Sequence, residues 1–221
     1  AAAVLALFFA GPAFATGKTG GWILETAETA RTVGLGGACA TLSGDPAVVF
    51  FNPAGLYDLN DPAGLFTHQA GLAEDYTENL NVMVPAGTAG VFGGSLIYHG
   101  MAPLDDAGPG VEAVEVYDLV GIFSYARALE TVTPGLAAGV NLKFLQSALG
   151  EFQANAFAAD LGLHWTPFSA AALGLAVRNL GTPLTFVEEG DPLPARVVLG
   201  GRYTLLAEKR ERFDFLLDLE Q

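Results

Sequence analysis

The sequence predicts an all-β protein: a transmembrane antiparallel β-barrel whose interior is closed by an N-terminal plug. From residue 63 onward the chain divides into segments of about ten residues in which apolar and polar side chains alternate, as in transmembrane strands. Only 15% of the residues are charged and 51% are hydrophobic, whereas about 25% are charged in ordinary soluble domains. After residue 15 no run reaches the roughly 18 apolar residues that predict a membrane-spanning helix. A membrane location therefore has to come from strands, which span a bilayer only in a closed barrel.

The start of the chain indicates export. Residues 1–10 are all apolar, Gly11 and Pro12 interrupt the run, and Ala13–Ala15 is typical of a signal-peptide cleavage site. We interpret residues 1–15 as part of a cleaved signal peptide, since the apolar run is shorter than the ~20 residues of a transmembrane helix. No initiator methionine or basic segment precedes the run, so we expect the numbering to begin inside the gene product. The expected location is the bacterial outer membrane.

Residues 16–61 are predicted to form the plug, or hatch. This stretch is too apolar and too rich in glycine for a surface loop, and it directly precedes the first alternating segment. The spacing of its charged residues predicts a helix over residues 23–33. Three glycines should end that helix and let the backbone pack closely against the barrel wall: Gly34, Gly36 and Gly37.

Two turns that contain proline are expected next in the plug. Asp45 is a good helix N-cap, and Pro46 suits the first position of a short helical turn that reaches Phe51. A residue before proline is pushed out of the α region, so Asn52 should close that turn. Two roles are open for the plug residues: they form a gate, or they cap the barrel and never move. The candidate residues are Gly34, Gly36, Gly37, Ser43, Asp45, Pro46, Asn52, Pro53 and Gly55.

Residues 62–221 are predicted to form the barrel strands. Between Ala195 and Leu206, both arginines fall on one side of the pleat and the large apolar residues fall on the other. Residues 136–146 and 155–166 repeat this separation. A charge facing lipid near the bilayer midplane costs roughly 2–4 kcal/mol, so the separation indicates a wet interior and an apolar exterior. The polar residues expected to face the interior are Asn141, Lys143, Asp160, His164, Arg196 and Arg202.

The connections between strands are expected to alternate in length, because outer-membrane barrels have short periplasmic turns and longer external loops. The short connections are residues 85–90, 131–135 and 166–169. The long connections, both with acidic residues, are 101–110 and 182–194. This alternation places the start of the plug in the periplasm and directs the first strand, about residues 63–73, outward. The segments correspond to eight complete strands and a ninth that stops at Gln221, so we expect the barrel to be truncated at its C-terminus.

A soluble β-sandwich or a lipocalin-like barrel is the alternative fold, because it also alternates and has one apolar face. The polar faces of the predicted strands are rich in Ala, Gly, Ser and Asn. A surface in contact with water usually carries Lys and Glu instead. The composition of the polar faces therefore favours the membrane barrel.

Residues for catalysis, metal binding or cofactor binding are scarce. His68, His99 and His164 lie in different predicted strands, without the spacing of paired metal ligands. Ser43 and Asp45 lack a histidine neighbour, so a capped turn explains them better than a catalytic triad. We expect no enzyme activity, no metal and no cofactor. The net charge of −14 argues against nucleic acid as a partner, since nucleic-acid binding needs clustered Lys and Arg.

Three short clusters in the plug, Gly34–Ala38, Ser43–Ala47 and Asn52–Leu56, carry a family resemblance in their order and spacing. At these residues the chain resembles the PorV/PorQ family, relatives of the FadL outer-membrane fatty-acid channels. Leu193–Arg196, leading into Leu199–Tyr203, looks like a later strand of that family. The resemblance implies an outer-membrane barrel of about fourteen strands in the full protein, with an N-terminal hatch inside. The Asn-Pro-Ala element is shared with the fatty-acid channels, so it marks the hatch rather than the cargo.

Two functional classes follow from the resemblance. In the first, the protein is a scaffold or shuttle of the type IX secretion kind, which binds exported cargo proteins or other secretion components through its external loops. In the second, it is a FadL-like channel for long-chain fatty acids or other hydrophobic small molecules. The first is favoured because the resemblance is closer to PorV/PorQ. In addition, the external loops, although longer than the periplasmic turns, are still short and are acidic, so they offer little apolar entry cleft. Outer-membrane lipid is the expected partner in both.

Overall fold

The computed structural model of the protein describes residues 19–26, 29–71, 74–104, 114–208 and 211–221. The signal peptide expected at residues 1–15 lies outside the described residues. Residues 105–110 of the first long connection also lie outside them.

The plug contains short helical turns joined by irregular chain. Its described helical elements are one α-helix, α1 (Ala30–Gly34), and the 3₁₀ turns Trp22–Glu25, Pro46–Phe50 and Pro53–Asp58. Within the described part of residues 23–33, the expected single helix is replaced by the 3₁₀ turn Trp22–Glu25 and by α1. Thr29 is extended and exchanges hydrogen bonds with Thr32 in a capping box, and such a box starts a helix rather than continuing one. No described helix is both long enough and apolar enough to cross a bilayer.

Nine of the eleven described strands form one antiparallel sheet in the order β1-β2-β3-β4-β5-β6-β7-β10-β11. Strands β1 to β7 pair in chain order, β10 pairs with β7, and β11 pairs with β10. The small hairpin β8–β9 lies within the connection from β7 to β10. The number nine agrees with the eight complete segments and the ninth, interrupted one predicted from the alternation in the sequence. The bounds are β1 Ala63–Ala70, β2 Asp75–Pro85, β3 Val91–Leu104, β4 Val114–Ala128, β5 Leu136–Leu149, β6 Phe152–Phe168, β7 Ala171–Gly181, β8 Leu184–Thr185, β9 Gly190–Asp191, β10 Arg196–Glu208 and β11 Glu211–Glu220.

The nine-stranded sheet is open. β1 and β11 are its edges, and no pairing joins them among the described residues. The predicted all-β, antiparallel class is therefore confirmed, and the form that it takes is an open sheet.

The two faces of the sheet differ as the alternation predicts. On β6, Asp160 and His164 are fully buried, while Leu161 beside Asp160 is 54% exposed. On β10, Val198 is buried and its neighbour Leu199 is exposed. We call the face that carries the buried polar residues the inner face, and the opposite face the outer face.

The plug lies on the inner face and reaches strands across the whole sheet. The turn Pro46–Phe50 contacts β1 and β2, the turn Pro53–Asp58 contacts β4 to β6, and the backbone N–H of Ala40 bonds to Asp218 on β11. Nine strands spaced about 4.8 Å apart would extend about 38 Å if laid flat. A compact segment that touches strands near both edges requires the sheet to curl around it.

The plug runs from one end of the sheet to the other. The backbone N–H of Gly20 donates to the carbonyl of Pro192, in the connection from β7 to β10 (2.9 Å). Tyr57 and Asn60 lie beside the turns that follow β2 and β4. We call the first the loop end and the second the turn end. The plug was expected to start at the turn end, but this hydrogen bond places residue 20 at the loop end.

Strands β3 and β7 both end at the loop end, and the long connection 182–195 follows β7 there. Residues 105–113, between β3 and β4, lie outside the described residues. The connections 86–90, 129–135 and 169–170 belong to the turn end, and the first contains a 3₁₀ turn at Gly87–Ala89. Two short connections, 71–74 and 150–151, also lie at the loop end. Among the described residues, the expected alternation of lengths therefore holds only in part, because not every connection at the loop end is long.

Candidate functional site

Four glycines on the inner face allow the plug backbone to lie directly against the sheet. A Cβ at any of the four would overlap atoms of the plug. They occupy neighbouring strands, and the first two and the last two are directly opposed in register. Because glycine has no side chain, the strands leave room here for another backbone. We call this set the glycine track: Gly139 on β5, Gly162 on β6, Gly174 on β7 and Gly200 on β10.

The close packing expected at Gly34, Gly36 and Gly37 is not found. A Cβ at any of these positions would meet no atom within 4 Å. Gly36 and Gly37 have φ values of 63° and 80°, so glycine is needed there to turn the chain out of α1. The glycines that permit close approach belong to the wall and not to this part of the plug.

The two proline turns of the plug are built in the same way. Asp45 is extended, and its side chain accepts the N–H of Ala47 (2.8 Å). Asn52 is also extended, and its side chain accepts the N–H of Ala54 (3.1 Å). In both turns the capping residue is followed by a proline at the first helical position. The capping expected at Asp45 is observed, and Asn52, expected to close that turn, also opens the next one.

Asn52 attaches the plug to the wall. It is fully buried, and its side-chain nitrogen donates to the carbonyls of Ala40 (2.7 Å) and Leu163 on β6 (2.9 Å). Its side-chain oxygen lies over Gly162 of the glycine track. Both donors and one acceptor position of the amide are therefore used, which makes Asn52 a cap and an anchor at once.

The other plug candidates join the two turns into one unit. The hydroxyl of Ser43 donates to the carboxylate of Asp58 (3.0 Å). Gly55 lies so close to the carbonyl of Leu42 that a Cβ would overlap it. Pro53 packs over Gly139 of the glycine track. These contacts hold the plug against the wall as a folded unit.

A buried ion pair lies at the centre of the inner face. The Nζ of Lys143 on β5 is 2.7 Å from Oδ2 of Asp160 on β6, with side-chain exposures of 3% and 0%. Lys143 also donates to the side-chain oxygen of Asn179 (2.7 Å), and Asn141 donates to Asp160 (2.8 Å). A buried pair is tolerated when hydrogen bonds satisfy its remaining atoms, and these two amides supply them. We call Asn141, Lys143, Asp160 and Asn179 the buried junction.

The buried junction reaches both the plug and the connection from β7 to β10. Asn141 donates to the carbonyl of Val49 in the plug (2.8 Å). Asn179 donates from its side chain to the carbonyl of Pro194 (3.0 Å), and from its backbone to Asp160 (2.8 Å). One cluster thus fixes two separate segments to the same point of the wall.

The connection from β7 to β10 folds over the start of the plug. Leu184 and Leu193 are buried in the same hydrophobic core as Ile23. The tip of this connection, residues 187–191, is exposed and carries three acidic side chains. The base of the connection is therefore part of the interior, and its tip faces outward at the loop end.

Side chains on β6, β7 and β10 hold plug carbonyls. Arg178 donates to the carbonyl of Phe50 (3.1 Å), and Arg202 donates to that of Thr41 (3.3 Å). The Nε2 of His164 lies 3.1 Å from the same Thr41 oxygen. Backbone carbonyls without a strand partner thereby gain donors from the wall.

The last two strands add charged contacts. Arg196 on β10 forms ion pairs with Glu25 of the plug and with Glu220 on β11. Asp218 on β11 accepts the N–H of Ala40 (2.8 Å). All six residues expected to face the interior therefore lie on the inner face, and each contacts the plug directly or through a neighbour.

The outer face of β4 is an apolar band bounded by charges. Its residues alternate in exposure along the strand, and Tyr117 and Tyr125 are about 27 Å apart at about 3.4 Å per residue. The outward residues, in order, are Glu115, Tyr117, Leu119, Gly121, Phe123, Tyr125 and Arg127. An apolar strip with a tyrosine and then a charge at each end is typical of a membrane-facing strand.

Aromatic rings continue this band onto neighbouring strands. Near the loop end, His68, Tyr76, Tyr98 and Tyr117 form a row on β1 to β4, with centroids 6.3, 5.8 and 6.2 Å apart. Near the turn end, Tyr125 packs against Phe92 at 5.0 Å. Between the two levels, large exposed apolar side chains cover the outer face: Leu80, Val82, Leu96, Phe123, Leu142, Phe144, Phe157, Leu161, Leu163, Leu173, Leu175, Val197 and Leu199.

The three histidines lie apart, each with its own partner. His68 is 3.4 Å from Glu78, His99 bonds to Thr77 (3.0 Å), and His164 bonds to the plug. No three His, Cys, Asp or Glu side chains are grouped as metal ligands within the part of the chain that the structure describes.

Several site residues were not identified from the sequence: Gly139, Gly162, Gly174, Gly200, Arg178, Asn179 and Asp218. Side chains two positions apart in a strand point to the same face. Gly139 precedes Asn141 by two positions and Gly162 follows Asp160 by two, so both glycines fall on the predicted inner face. This two-residue spacing would have allowed the glycines to be assigned to the inner face from the sequence. The alignment of the glycines across strands depends on register, which the sequence does not display.

Comparison with known proteins assigns no family. No family model matches the chain, and no match is found among curated proteins. The function has to be inferred from the plug and the two faces of the sheet.

Proposed function

We propose that this chain forms part of an outer-membrane β-barrel of the PorV/PorQ type that acts, without catalysis, as a scaffold or shuttle for exported proteins. The observation that carries the membrane part is the inverted polarity of the sheet. Amide and charged side chains are buried against the plug, and large apolar side chains are exposed on the outer face. A soluble sandwich or lipocalin places its apolar face inside. Lipid is the environment that stabilises the opposite arrangement.

The height of the apolar band supports this placement. At a strand tilt of about 40°, the 27 Å between Tyr117 and Tyr125 correspond to a height of about 21 Å, near the ~25 Å of an outer-membrane barrel. The aromatic rows lie at the two borders, where Tyr and Trp favour the membrane–water interface. Glu115 and Arg127 fall just outside the band, where a charge is tolerated.

The open edges of the sheet, β1 and β11, have to be paired if the sheet spans a membrane. Unpaired backbone groups are too costly in the hydrocarbon core, so a spanning sheet must be closed. β1 and β11 therefore need further strands as partners. The curl of the nine strands around the plug supports closure, because the sheet already bends toward a common centre.

The filled interior favours a scaffold over a channel for hydrophobic solutes. Such a channel needs an apolar cavity along its route. Of the described cavities with mainly apolar walls, those of about 660 and 350 Å³ lie on the outer face beside Phe123 and Trp165, and one of about 730 Å³ lies between α1 of the plug and the edge strand β1. The inner face is occupied by the plug, which hydrogen bonds and the glycine track hold in place.

The exposed tip at the loop end is the proposed contact for cargo. Val187 is 72% exposed, and the neighbouring Glu188 and Glu189 are exposed as well. An apolar side chain among carboxylates suits a polypeptide with apolar and basic residues. The base of the same connection is buried, so the tip is presented on a fixed support.

The test is to isolate the full-length protein from native outer membranes and to identify what copurifies by mass spectrometry. We expect exported proteins, and we expect their loss when Val187→Ser, Glu188→Gln and Glu189→Gln are combined. Val132→Ser, an exposed position at the turn end, is the matched control and should retain them. Copurified fatty acid without exported protein would instead support the uptake channel, and a full-length protein that stays soluble without detergent would exclude both.

A further inference from the structure

The first helical turn of the plug, Trp22–Glu25, lies at the loop end of the sheet. Just before this turn, the backbone N–H of Gly20 donates to the carbonyl of Pro192. At its end, Glu25 forms an ion pair with Arg196, the first residue of β10. The turn is therefore attached on both sides to the connection between β7 and β10. We call Trp22–Glu25 the entry turn.

Trp22 presents a half-exposed indole in the entry turn. Its ring packs edge-to-face against that of His99 on β3, with centroids 4.7 Å apart, and 48% of the residue remains exposed. His99 directly follows Tyr98, which belongs to the aromatic row near the loop end. The indole thus lies near the level at which the proposed barrel meets external water. A tryptophan that is held by a neighbouring ring and partly exposed is a favourable contact for a partner protein.

The entry turn also supports the hairpin that carries the acidic tip. The hairpin β8–β9 consists of two residue pairs only, and an isolated hairpin is at best marginally stable in water. Leu184 on β8 and Leu193 after β9 are buried in the same core as Ile23 and Leu24 of the entry turn. The position of the tip therefore depends in part on the plug.

The entry turn and the tip are close in space. A Cβ on Gly20 would lie 3.0 Å from the Cβ of Asp191, at the base of the tip. Trp22 is two residues further along, so its Cα lies within about 7 Å of the Cα of Gly20. The exposed Glu188 and Glu189 lie within three residues of Asp191. An indole and several carboxylates are thus neighbours at the loop end.

We propose that the indole of Trp22 and the carboxylates of Glu188 and Glu189 form one binding surface for a basic, extended segment of an exported protein. This surface presupposes the proposed function and specifies the chemistry of the cargo. A Lys or Arg side chain lies on the exposed part of the indole as a cation–π contact, and neighbouring basic residues pair with the two carboxylates. An acidic segment is rejected, because like charges repel across an interface.

The plug takes part in this binding surface and does not only fill the interior. Because Trp22 belongs to the plug and Leu184 rests on Ile23 in one core, displacement of the entry turn would remove the indole and loosen the tip at once. By linkage, a bound segment stabilises the entry turn in its place. The plug therefore stays seated at the loop end while cargo is bound.

Peptide binding to the full-length protein in nanodiscs of zwitterionic lipid tests the surface. The probe is a fluorescein-labelled peptide of alternating Lys and Ser residues, followed by fluorescence anisotropy. Trp22→Leu keeps an apolar side chain over His99 but removes the aromatic face, and it should weaken binding about two- to fivefold. Trp22→Phe should recover part of the loss. Trp165→Leu, on the outer face, is the matched control and should leave the affinity unchanged.

A covalent link between the entry turn and the tip gives a second measurement. Cys39 is the one cysteine of the sequence, so Cys39→Ala provides the background for Gly20→Cys combined with Asp191→Cys. A small shift brings these Cβ atoms to the separation of about 3.5–4.5 Å that a disulfide needs. The oxidised protein should bind the Lys–Ser peptide as tightly as the reduced protein, because the proposed surface uses both parts in contact.

Four results would overturn the proposal: no binding of the Lys–Ser peptide to the unmodified protein, unchanged affinity in Trp22→Leu, equal affinity for a peptide in which Glu replaces Lys, or loss of binding on oxidation. Failure of the unmodified protein to insert into membranes or to copurify with exported proteins would instead contradict the proposed function. The two failures are therefore distinguishable.

Discussion

Lys143 and Asp160 lie where the wall, the plug and the connection from β7 to β10 meet. Replacing Lys143 with Met leaves the buried Asp160 carboxylate without its cation, and removing one partner of such a pair typically costs about 3–5 kcal/mol. We expect that loss in urea unfolding of the protein in lipid vesicles. Adding Asp160→Asn should recover part of it, because the uncompensated charge is then gone.

The control for the buried pair is Arg196→Met. Arg196 is partly exposed, with 39% of its side chain accessible, and exposed ion pairs contribute about 0–1 kcal/mol. The loss should therefore be clearly smaller than that of Lys143→Met. Equal losses for the two variants would show that the buried junction has no special role.

The glycine track gives a second prediction for single residues. A Cβ at Gly174 would overlap the backbone carbonyl of Ala40, whereas one at Gly201 would meet open space. Gly174→Ala should destabilise the protein by about 1–3 kcal/mol, as overpacking does, and should loosen the plug to proteolysis. Gly201→Ala should stay within about 0.5 kcal/mol. An equal response to both substitutions would contradict close contact between the plug and β7.

Among the elements, the two proline turns are matched in structure but differ in attachment. Asn52→Asp keeps the cap but cannot donate to Ala40 or Leu163, and each buried carbonyl left unsatisfied costs about 1–3 kcal/mol. Asp45→Asn keeps its cap and loses only the ion pair with Arg31. Hydrogen exchange should show faster exchange of plug amides in Asn52→Asp alone. Similar exchange in both variants would show that Asn52 does not anchor the plug.

The strands could be predicted from the sequence because their side-chain period is two and the sheet has one buried face. That pattern gives the nine strands, the inward direction of Asn141 and Asp160, and the exposure of Leu199. The α-helix is shorter than expected because it begins only at Ala30, after the capping box formed by Thr29 and Thr32. Local spacing cannot reveal which cap the folded chain uses.

The contacts of the site could be predicted only in part. The alternation of side chains along each strand places Lys143 and Asp160 on the inner face. Their hydrogen bonds with Asn179 depend on which strands are neighbours in the sheet. The same holds for the glycine track, where four residues from four strands meet one plug segment. Long-range register decides such contacts, and it arises from the whole sheet rather than from any window of sequence.

At the scale of the whole molecule, the plug and the bilayer would cover the two faces of one sheet. The inner face is polar, and side chains of the wall donate hydrogen bonds to carbonyls of the plug. The outer face is apolar, and within the described chain the plug does not cover it. In water alone this apolar surface would remain exposed, and apolar patches of such size are rare on soluble monomers, which is why we propose that lipid covers it.

A charge placed on the outer face tests this arrangement. Leu96 on β3 is 49% exposed and is the register partner of Gly121, midway between the tyrosines of β4. Leu96→Arg should lower stability in lipid vesicles by roughly 2–4 kcal/mol, because the charge lies near the bilayer midplane. Glu115→Arg, at the border of the band, should cost about 0–1 kcal/mol. Urea titration in vesicles measures both. Equal costs, or a Leu96→Arg protein that becomes soluble and monomeric without detergent, would show that the outer face does not contact lipid.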